Sequence, residues 1–258
     1  MFLQYAAILI HLRSGGQGTR LNLPENRNYH TLSFSMEIKV LGNKHSIIDQ
    51  YLSELRDIHV QHDSFRFREN LQRLGELFAF EVSKTLDYEV RDVTTPLGVA
   101  RVPVLTRQPV LATILKAGLL MHQGFLRIFD KAENAFISAY RKYTENGGFE
   151  IEFEYMSSPS LDGKVVILSD PMLASGMSME ISYHALQAKG TPSHIHLVSI
   201  ISSRQGVDYV TSRINDPNVT LWLGAIDEGM TPKSYIVPGL GDAGDLAYGE
   251  KIDSKKKG

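Results

Sequence analysis

The chain has 258 residues, enough for one domain with a sizeable core or for two small ones. Its formal net charge of -2, with 22% charged and 43% hydrophobic residues, gives no broad pull toward nucleic acid or anionic membrane. Cysteine is absent, which excludes disulfides, thiolate nucleophiles and cysteine metal sites and fits a cytoplasmic setting.

Residues 1–10 are apolar but lack a basic leading segment and a small-residue cleavage site, so they do not read as a signal peptide. No apolar run approaches the roughly 18–20 residues that span a bilayer, and no membrane partner is expected. Residues 11–35 are rich in Gly, Asn, Arg and Ser and hold no sustained period. Met36 then opens a well-patterned stretch. The expectation is an N-terminal extension over 1–35, outside the native start or a genuine extra arm, followed by a single domain over 36–258.

Ile47, Ile48, Tyr51, Leu52, Leu55 and Ile58 recur at helical spacing, as do Leu71, Leu74, Leu77, Phe78 and Val82. They predict two amphipathic N-terminal helices with one buried face each. Asp63, Ser64, Arg66, Arg68 and Glu69 fall in and after the gap between them. The pattern then switches. Short apolar runs over 109–115, 135–140, 165–169, 195–201 and 220–226 predict strands covered on both faces. Between them, 117–129, 178–189 and 206–214 have helical spacing or composition. Strand–helix–strand repetition predicts an α/β fold with a doubly wound, mostly parallel sheet flanked by helices. Residues 149–156 differ: they alternate strictly after an Asn146-Gly147-Gly148 turn signal, which predicts a β-hairpin or flap with one acidic face.

Two loops carry chemistry. The first follows the run 165–169: Asp170, Pro171, Met172, Leu173, Ala174, Ser175, Gly176, Met177 and Ser178, then a helix. Ligands of open α/β sheets bind at the carboxyl ends of the strands. Free loop N–H groups and a helix N-terminus attract an anion, and Ser175 and Ser178 add hydroxyl donors. Asp170 suits two neighbouring hydroxyls, as on a ribose. The loop is neither a Walker loop nor a dinucleotide fingerprint. The second loop runs Tyr235, Ile236, Val237, Pro238, Gly239, Leu240, Gly241, Asp242, Ala243, Gly244, Asp245. Its small, rigid backbone lets a flat ring approach closely. Backbone N–H and C=O groups of such a loop can complement an acceptor–donor–acceptor edge, as uracil presents, and can reject that of cytosine.

The string DPMLASGMS at 170–178 resembles the phosphoribosyl-diphosphate signature of uracil phosphoribosyltransferases, usually D-P-M-L-A-T-G-G-S. Ser175 stands where Thr is usual, and Met177 where a second Gly is usual. Residues 235–245 resemble the same family's uracil signature, Y-I-[IV]-P-G-L-G-D-A-G-D, although the tail from Leu246 to Glu250 diverges from the usual basic residue, aromatic and Gly-Thr. Ile114 to Leu119 is similar to the diphosphate loop I-L-R-A-G-L, with Lys116 for Arg, which keeps the charge and loses the bidentate fork. Tyr140-Arg141 is similar to the family's Y-R.

The resemblance, over roughly residues 38–250, implies a type I phosphoribosyltransferase fold. The implied activity is transfer of the phosphoribosyl group from 5-phosphoribosyl 1-diphosphate to uracil, giving UMP and diphosphate. It implies Lys116, Arg141, Asp170–Ser178 and Asp242 for the phosphoribosyl diphosphate, and Ile236, Gly241, Asp242 and Ala243 for uracil. The implied catalytic set is Asp170, Lys116, Arg141 and Asp242. Mg²⁺ would travel with the diphosphate near Asp242. A homodimer or higher homo-oligomer is implied, with GTP activation in some members. Lys116, Met177 and the altered tail leave open a catalytically impaired regulatory or nucleotide-binding relative, against which the intact uracil loop and Asp170 count. A transferase for another base is opposed by the retained 235–245 loop. His59, His62, His184, His194 and His196 make no convincing metal set, though His194 and His196 face one side of a strand.

Overall fold

The computed structural model describes residues 36–42, 45–143 and 149–250. The expected extension at 1–35 and the turn at 146–148 lie outside them. The chain order is β1 (Glu37–Val40), α1 (Ile47–Arg56), α2 (Ser64–Ser83), β2 (Tyr88–Thr95), β3 (Gly98–Leu105), β4 (Val110–Leu115) and α3 (Gly118–Ile128). It continues with β5 (Glu133–Tyr143), β6 (Phe149–Ser157), β7 (Val165–Ser169), β8 (Met172–Leu173), α4 (Met177–Gln187) and β9 (His194–Ser203). Last come α5 (Arg204–Arg213), β10 (Val219–Asp227), β11 (Gly229–Met230), β12 (Ile236–Val237) and α6 (Ala243–Tyr248).

The main sheet runs in the order β1-β10-β9-β7-β4-β5-β6, with β8 added on β9. All its pairings are parallel except β5 with β6. The apolar runs form strands because both faces are covered: every residue of β4 but the last is buried, and so is every residue of β9 but the first. Successive residues serve opposite layers. Leu111, Ile167 and Val198 join the side chains of α1, α2, α3 and α6. Ala112, Leu168 and Leu197 join those of α4 and α5. The result is a three-layer α/β fold of the doubly wound class expected above. Among the described residues, no helix is long and apolar enough to cross a membrane.

Local signals set the helix starts. Ser46 and Asp49 form a capping box on α1, and Asp63 caps α2 through the backbone N–H groups of Phe65 and Arg66. The stretch 149–156 becomes β6, antiparallel to β5 at the sheet edge, with a register shift between Ser138 and Ala139. The antiparallel hairpin β2–β3 was not foreseen by periodicity. It pairs from Tyr88↔Leu105 to Thr95↔Gly98 outside the main sheet. Both its faces are largely exposed, so no inward stripe marks it in the sequence.

Where the strands begin, opposite their carboxyl edge, Trp222 Nε1–H donates to His196 Nδ1 at 3.1 Å, and the His194 and His196 rings lie 4.5 Å apart. Lys39 Nζ sits 4.6 Å from the Trp222 ring centre. Burial first, then His194 and Lys39, push the His196 imidazole down to about 3 from its usual 6.5. The unfolded chain therefore takes a proton at a pH where the folded chain refuses it. This contribution to stability is complete above about 6.5 and is lost as pH falls toward about 3. Urea midpoints measured between pH 7.5 and 4.5 are expected to drop below pH ~6.5, and His196→Gln to shallow that drop. An unchanged slope in the variant would contradict the assignment to His196.

Candidate active site

The chain moves from β4 outward to β5 on one side, and then returns to place β7 on the other side of β4. Strand order thus reverses between β4 and β7, the place where open α/β sheets bind ligands. Lys116 follows β4 and Asp170 follows β7, so both border this switch point. The two strand ends pack tightly. A Cβ on Gly118, at the start of α3, would lie 3.2 Å from the Ser169 carbonyl and 2.3 Å from Thr113 Oγ1.

The 170–178 loop is held from below by β9. The Pro171 carbonyl accepts from the N–H groups of Ile200 and Ile201, at 3.2 and 3.0 Å. The Ser199 hydroxyl donates to the Asp170 carbonyl, and the Ser203 hydroxyl donates to the Ala174 carbonyl at 2.6 Å. Ser203 Oγ in turn accepts from Gly206 N–H at 2.8 Å as the cap of α5. The Asp170 carboxylate accepts from Met172 N–H at 3.3 Å. These bonds fix the backbone and leave Asp170, Ser175 and Ser178 partly exposed.

Gly176 precedes α4 at φ 83°, a left-handed conformation that favours glycine, and no side chain caps that helix. The bare N-terminus suits an anion. Met177 is the first residue of α4 and is not among the positive-φ positions. The glycine requirement thus falls on Gly176, and position 177 accepts methionine. Asp170, Ser175, Gly176 and Ser178 line one concavity. A roomier depression of about 420 Å³ between α1 and α2 is bordered by Glu54 and Arg66. There Glu54 is already bound by Arg66 and Asn70, with its carboxyl held down at about 2 chiefly by those two bonds.

The second loop begins in β12, which pairs with β11, and turns through Val237-Pro238, a cis peptide like Leu115-Lys116. Gly239 and Gly241 take φ 58° and 91°. The Ile236 side chain is buried in the core, so only its backbone is offered to a ligand. Asp242 caps α6 by accepting from Asp245 N–H at 3.0 Å.

Lys116, at the end of the strand beside β7, reaches across to the second loop. Its stem lies on Gly244, whose Cβ would come within 3.1 Å of Lys116 Cε. Its Nζ stands 3.6 Å from Asp245 Oδ1 and donates to the Gly249 carbonyl at 3.3 Å. The structure therefore gathers Lys116, Asp170–Ser178 and Gly241–Ala243 along one carboxyl edge. Arg141 lies on β5 beyond Ser138, the register partner of Leu115, and is described by its backbone alone. Sequence reasoning missed Ser199 and Ser203, which support the first loop. The only hint was that Ser202-Ser203 ends an apolar strand and that Ser203 precedes Gly206 at capping distance. It also missed Asp227, which ends β10 and accepts from Gly239 N–H at 2.9 Å.

Fold and loops together define a doubly wound α/β protein with its candidate site at the switch point. A family model described as uracil phosphoribosyltransferase matches residues 42–250. A uracil phosphoribosyltransferase of Porphyromonas gingivalis is 54% identical over 217 residues, covering 84% of this chain and 100% of the relative. One from Methanothermobacter thermautotrophicus is 35% identical over 220 residues, covering 84% and 98%. The solved structure of the AQ2163 protein from Aquifex aeolicus superposes with a TM-score of 0.73 at 28% identity, covering 84% of this chain and 100% of that one. The chain belongs to the uracil phosphoribosyltransferase family.

Proposed function

We propose that the protein transfers the phosphoribosyl group of 5-phosphoribosyl 1-diphosphate to uracil, forming UMP and diphosphate in pyrimidine salvage. The observation that carries the reading is the meeting of Lys116 with Gly244 and Asp245. It sets the cation after β4 against the loop suited to a flat base, with the anion loop on the neighbouring strand.

In this reading uracil N1 attacks the anomeric carbon, the carbon–oxygen bond to diphosphate breaks, and N1 gives up its proton. Asp170 accepts hydrogen bonds from the ribose hydroxyls. Ser175, Ser178 and the backbone N–H groups around Gly176 and Met177 hold the 5-phosphate, with Pro171, Met172, Leu173 and Ala174 setting the path of the loop. Lys116 and Arg141 meet the growing charge of the diphosphate, and that stabilisation, with positioning, supplies most of the rate. The backbone of Ile236 and of Gly241, Asp242 and Ala243 reads the uracil edge.

A divalent ion fits this site by donor chemistry. Asp170 and Asp242 offer hard oxygen donors, and Mg²⁺ favours one or two carboxylates, waters and substrate phosphates. No cage of three or more acidic or histidine side chains forms among the described residues, which suits an ion carried by the diphosphate. Mg²⁺ bound there would neutralise part of the leaving group's charge.

A homo-oligomer and a cytoplasmic setting belong to the same proposal. Hairpin β2–β3 exposes Tyr88, Val90, Val93, Val99 and Val102, with Leu97 wholly in solvent. Such an apolar projection suits burial against a second copy. Sedimentation is expected to give a dimer or larger species.

The test of substrate class is a base panel: uracil, cytosine and hypoxanthine, each with phosphoribosyl diphosphate, with and without Mg²⁺. Uracil alone is expected to be converted, and only with the metal. Conversion of another base would overturn the uracil reading. Binding of both substrates without conversion would favour the regulatory one. Repeating the assay with GTP tests the effector that the resemblance implies for some members.

A further inference from the structure

The end of α1 and the end of β10 grip the bend of the second loop. Arg56 Nη1 and Nη2 donate to Asp227 Oδ2 and Oδ1 at 2.7 and 2.8 Å, and Nη1 also donates to the Gly239 carbonyl at 3.0 Å. Asp227 Oδ2 accepts from the N–H of the same Gly239 at 2.9 Å. Both backbone polar groups of Gly239 are thus taken by one ion pair. The pair is well shielded, with side-chain exposures of 25% for Arg56 and 8% for Asp227. Its geometry is fixed from behind, where Gln61 Nε2 donates to the carbonyls of Leu55 and Arg56 at 3.0 and 3.2 Å. At the far end of the loop, Arg68 of α2 donates to the Ala247 carbonyl in the last turn of α6 at 3.0 Å.

This arrangement serves the loop rather than the fold core. The bend requires glycine: Gly239 takes φ 58°, and a Cβ there would lie 2.2 Å from the Ile236 carbonyl. The bend decides where the backbone of 241–243 points. Burial would raise the Asp227 carboxyl, but the bonds from Arg56 and from Gly239 N–H bring it below the usual value, so the pair stays ionised at neutral pH.

We propose that Arg56 and Asp227, seconded by Arg68, are positioning residues for base recognition, holding the 239–247 segment in the shape that reads the pyrimidine edge. The proposal rests on the reading of that segment as the uracil loop. A displacement of about 1 Å in a reacting group costs on the order of a hundredfold in rate, so loss of the clamp should show in base binding first.

The test compares Arg56→Met, Arg56→Lys, Asp227→Asn and Arg68→Met with the wild type by steady-state kinetics. Peptide hydrogen exchange is followed in the same proteins without substrates. Arg56→Met and Asp227→Asn are expected to raise KM for uracil about tenfold or more, with KM for phosphoribosyl diphosphate held within about twofold. Arg56→Lys, which keeps the charge but loses the fork, is expected to fall between, and so is Arg68→Met. Exchange should quicken over 236–247 and not over 170–178. Equal rises in both KM values, or an unchanged KM for uracil with a lowered melting temperature, would overturn the proposal. If the wild type itself converts no uracil, the functional reading fails instead. The exchange pattern then still decides whether this pair orders the loop.

Discussion

Lys116→Met lowers kcat by about a hundredfold while KM for uracil stays within about twofold; this is the result expected if Lys116 serves the departing diphosphate. Methionine preserves the apolar stem that lies on Gly244 and removes only the charge. That charge is engaged by Asp245 and by the Gly249 carbonyl. A partly exposed pair at 3.6 Å contributes modestly to stability, so the variant should fold with a melting temperature near the wild type's. The loss should therefore appear in turnover. Lys116→Arg should retain most activity, since it keeps the charge and adds the fork usual in the family. Steady-state kinetics at saturating uracil would check this. An unchanged kcat in Lys116→Met would reduce Lys116 to a surface charge paired with Asp245.

The second large effect is expected at Gly176. Alanine there must adopt φ near 83°, and its Cβ would meet Tyr209 Cδ1 and Val210 Cγ2 at 2.9 Å and the Gly206 carbonyl at 3.0 Å. The left-handed conformation costs a β-carbon-bearing residue roughly 1–2 kcal/mol. Crowding a packed site typically costs a further ~1–3 kcal/mol. None of the three neighbours is a free chain end. Tyr209 is tied by its hydroxyl to Glu180 at 2.6 Å, Val210 is fully buried, and Gly206 is backbone. The loop must then shift, and with it the N–H groups proposed to hold the phosphate. Gly176→Ala is expected to raise KM for phosphoribosyl diphosphate at least tenfold and to lower stability by about 2–5 kcal/mol. Calorimetry with phosphoribosyl diphosphate and urea unfolding would check both. A wild-type affinity would show that the helix N-terminus does not hold the phosphate.

The inner strands of the parallel core, β4, β7, β9 and β10, were legible because they are covered on both faces; the half-exposed edge strand β1 was not read as a strand. The apolar run at 165–169 matches β7 from end to end, and the runs at 195–201 and 220–226 fall inside β9 and β10. Loop 170–178 was legible because its chemistry is local: Asp170, two serines and Gly176 sit in one short string. Position 177 looked like a defect in that string, and only the backbone reveals that Gly176 alone needs the left-handed turn. Hairpin β2–β3 was illegible because its exposed strands carry no period that a core imposes. The Arg56–Asp227 clamp could not be read either. Its partners are 171 residues apart, and nothing in either neighbourhood points to the other. The role of Arg141 remains an implication of the family's Y-R pair, since its side chain lies outside the described residues.

Phosphoribosyl transfer, unlike the binding of two ligands, ties each UMP formed to one diphosphate released. Its most direct test is a time course of UMP and diphosphate in one reaction of purified protein, labelled uracil, phosphoribosyl diphosphate and Mg²⁺. Equal amounts of both products, with no diphosphate released when uracil is omitted, is the predicted result. Diphosphate release without UMP, or no product from a protein that binds both substrates, would contradict it.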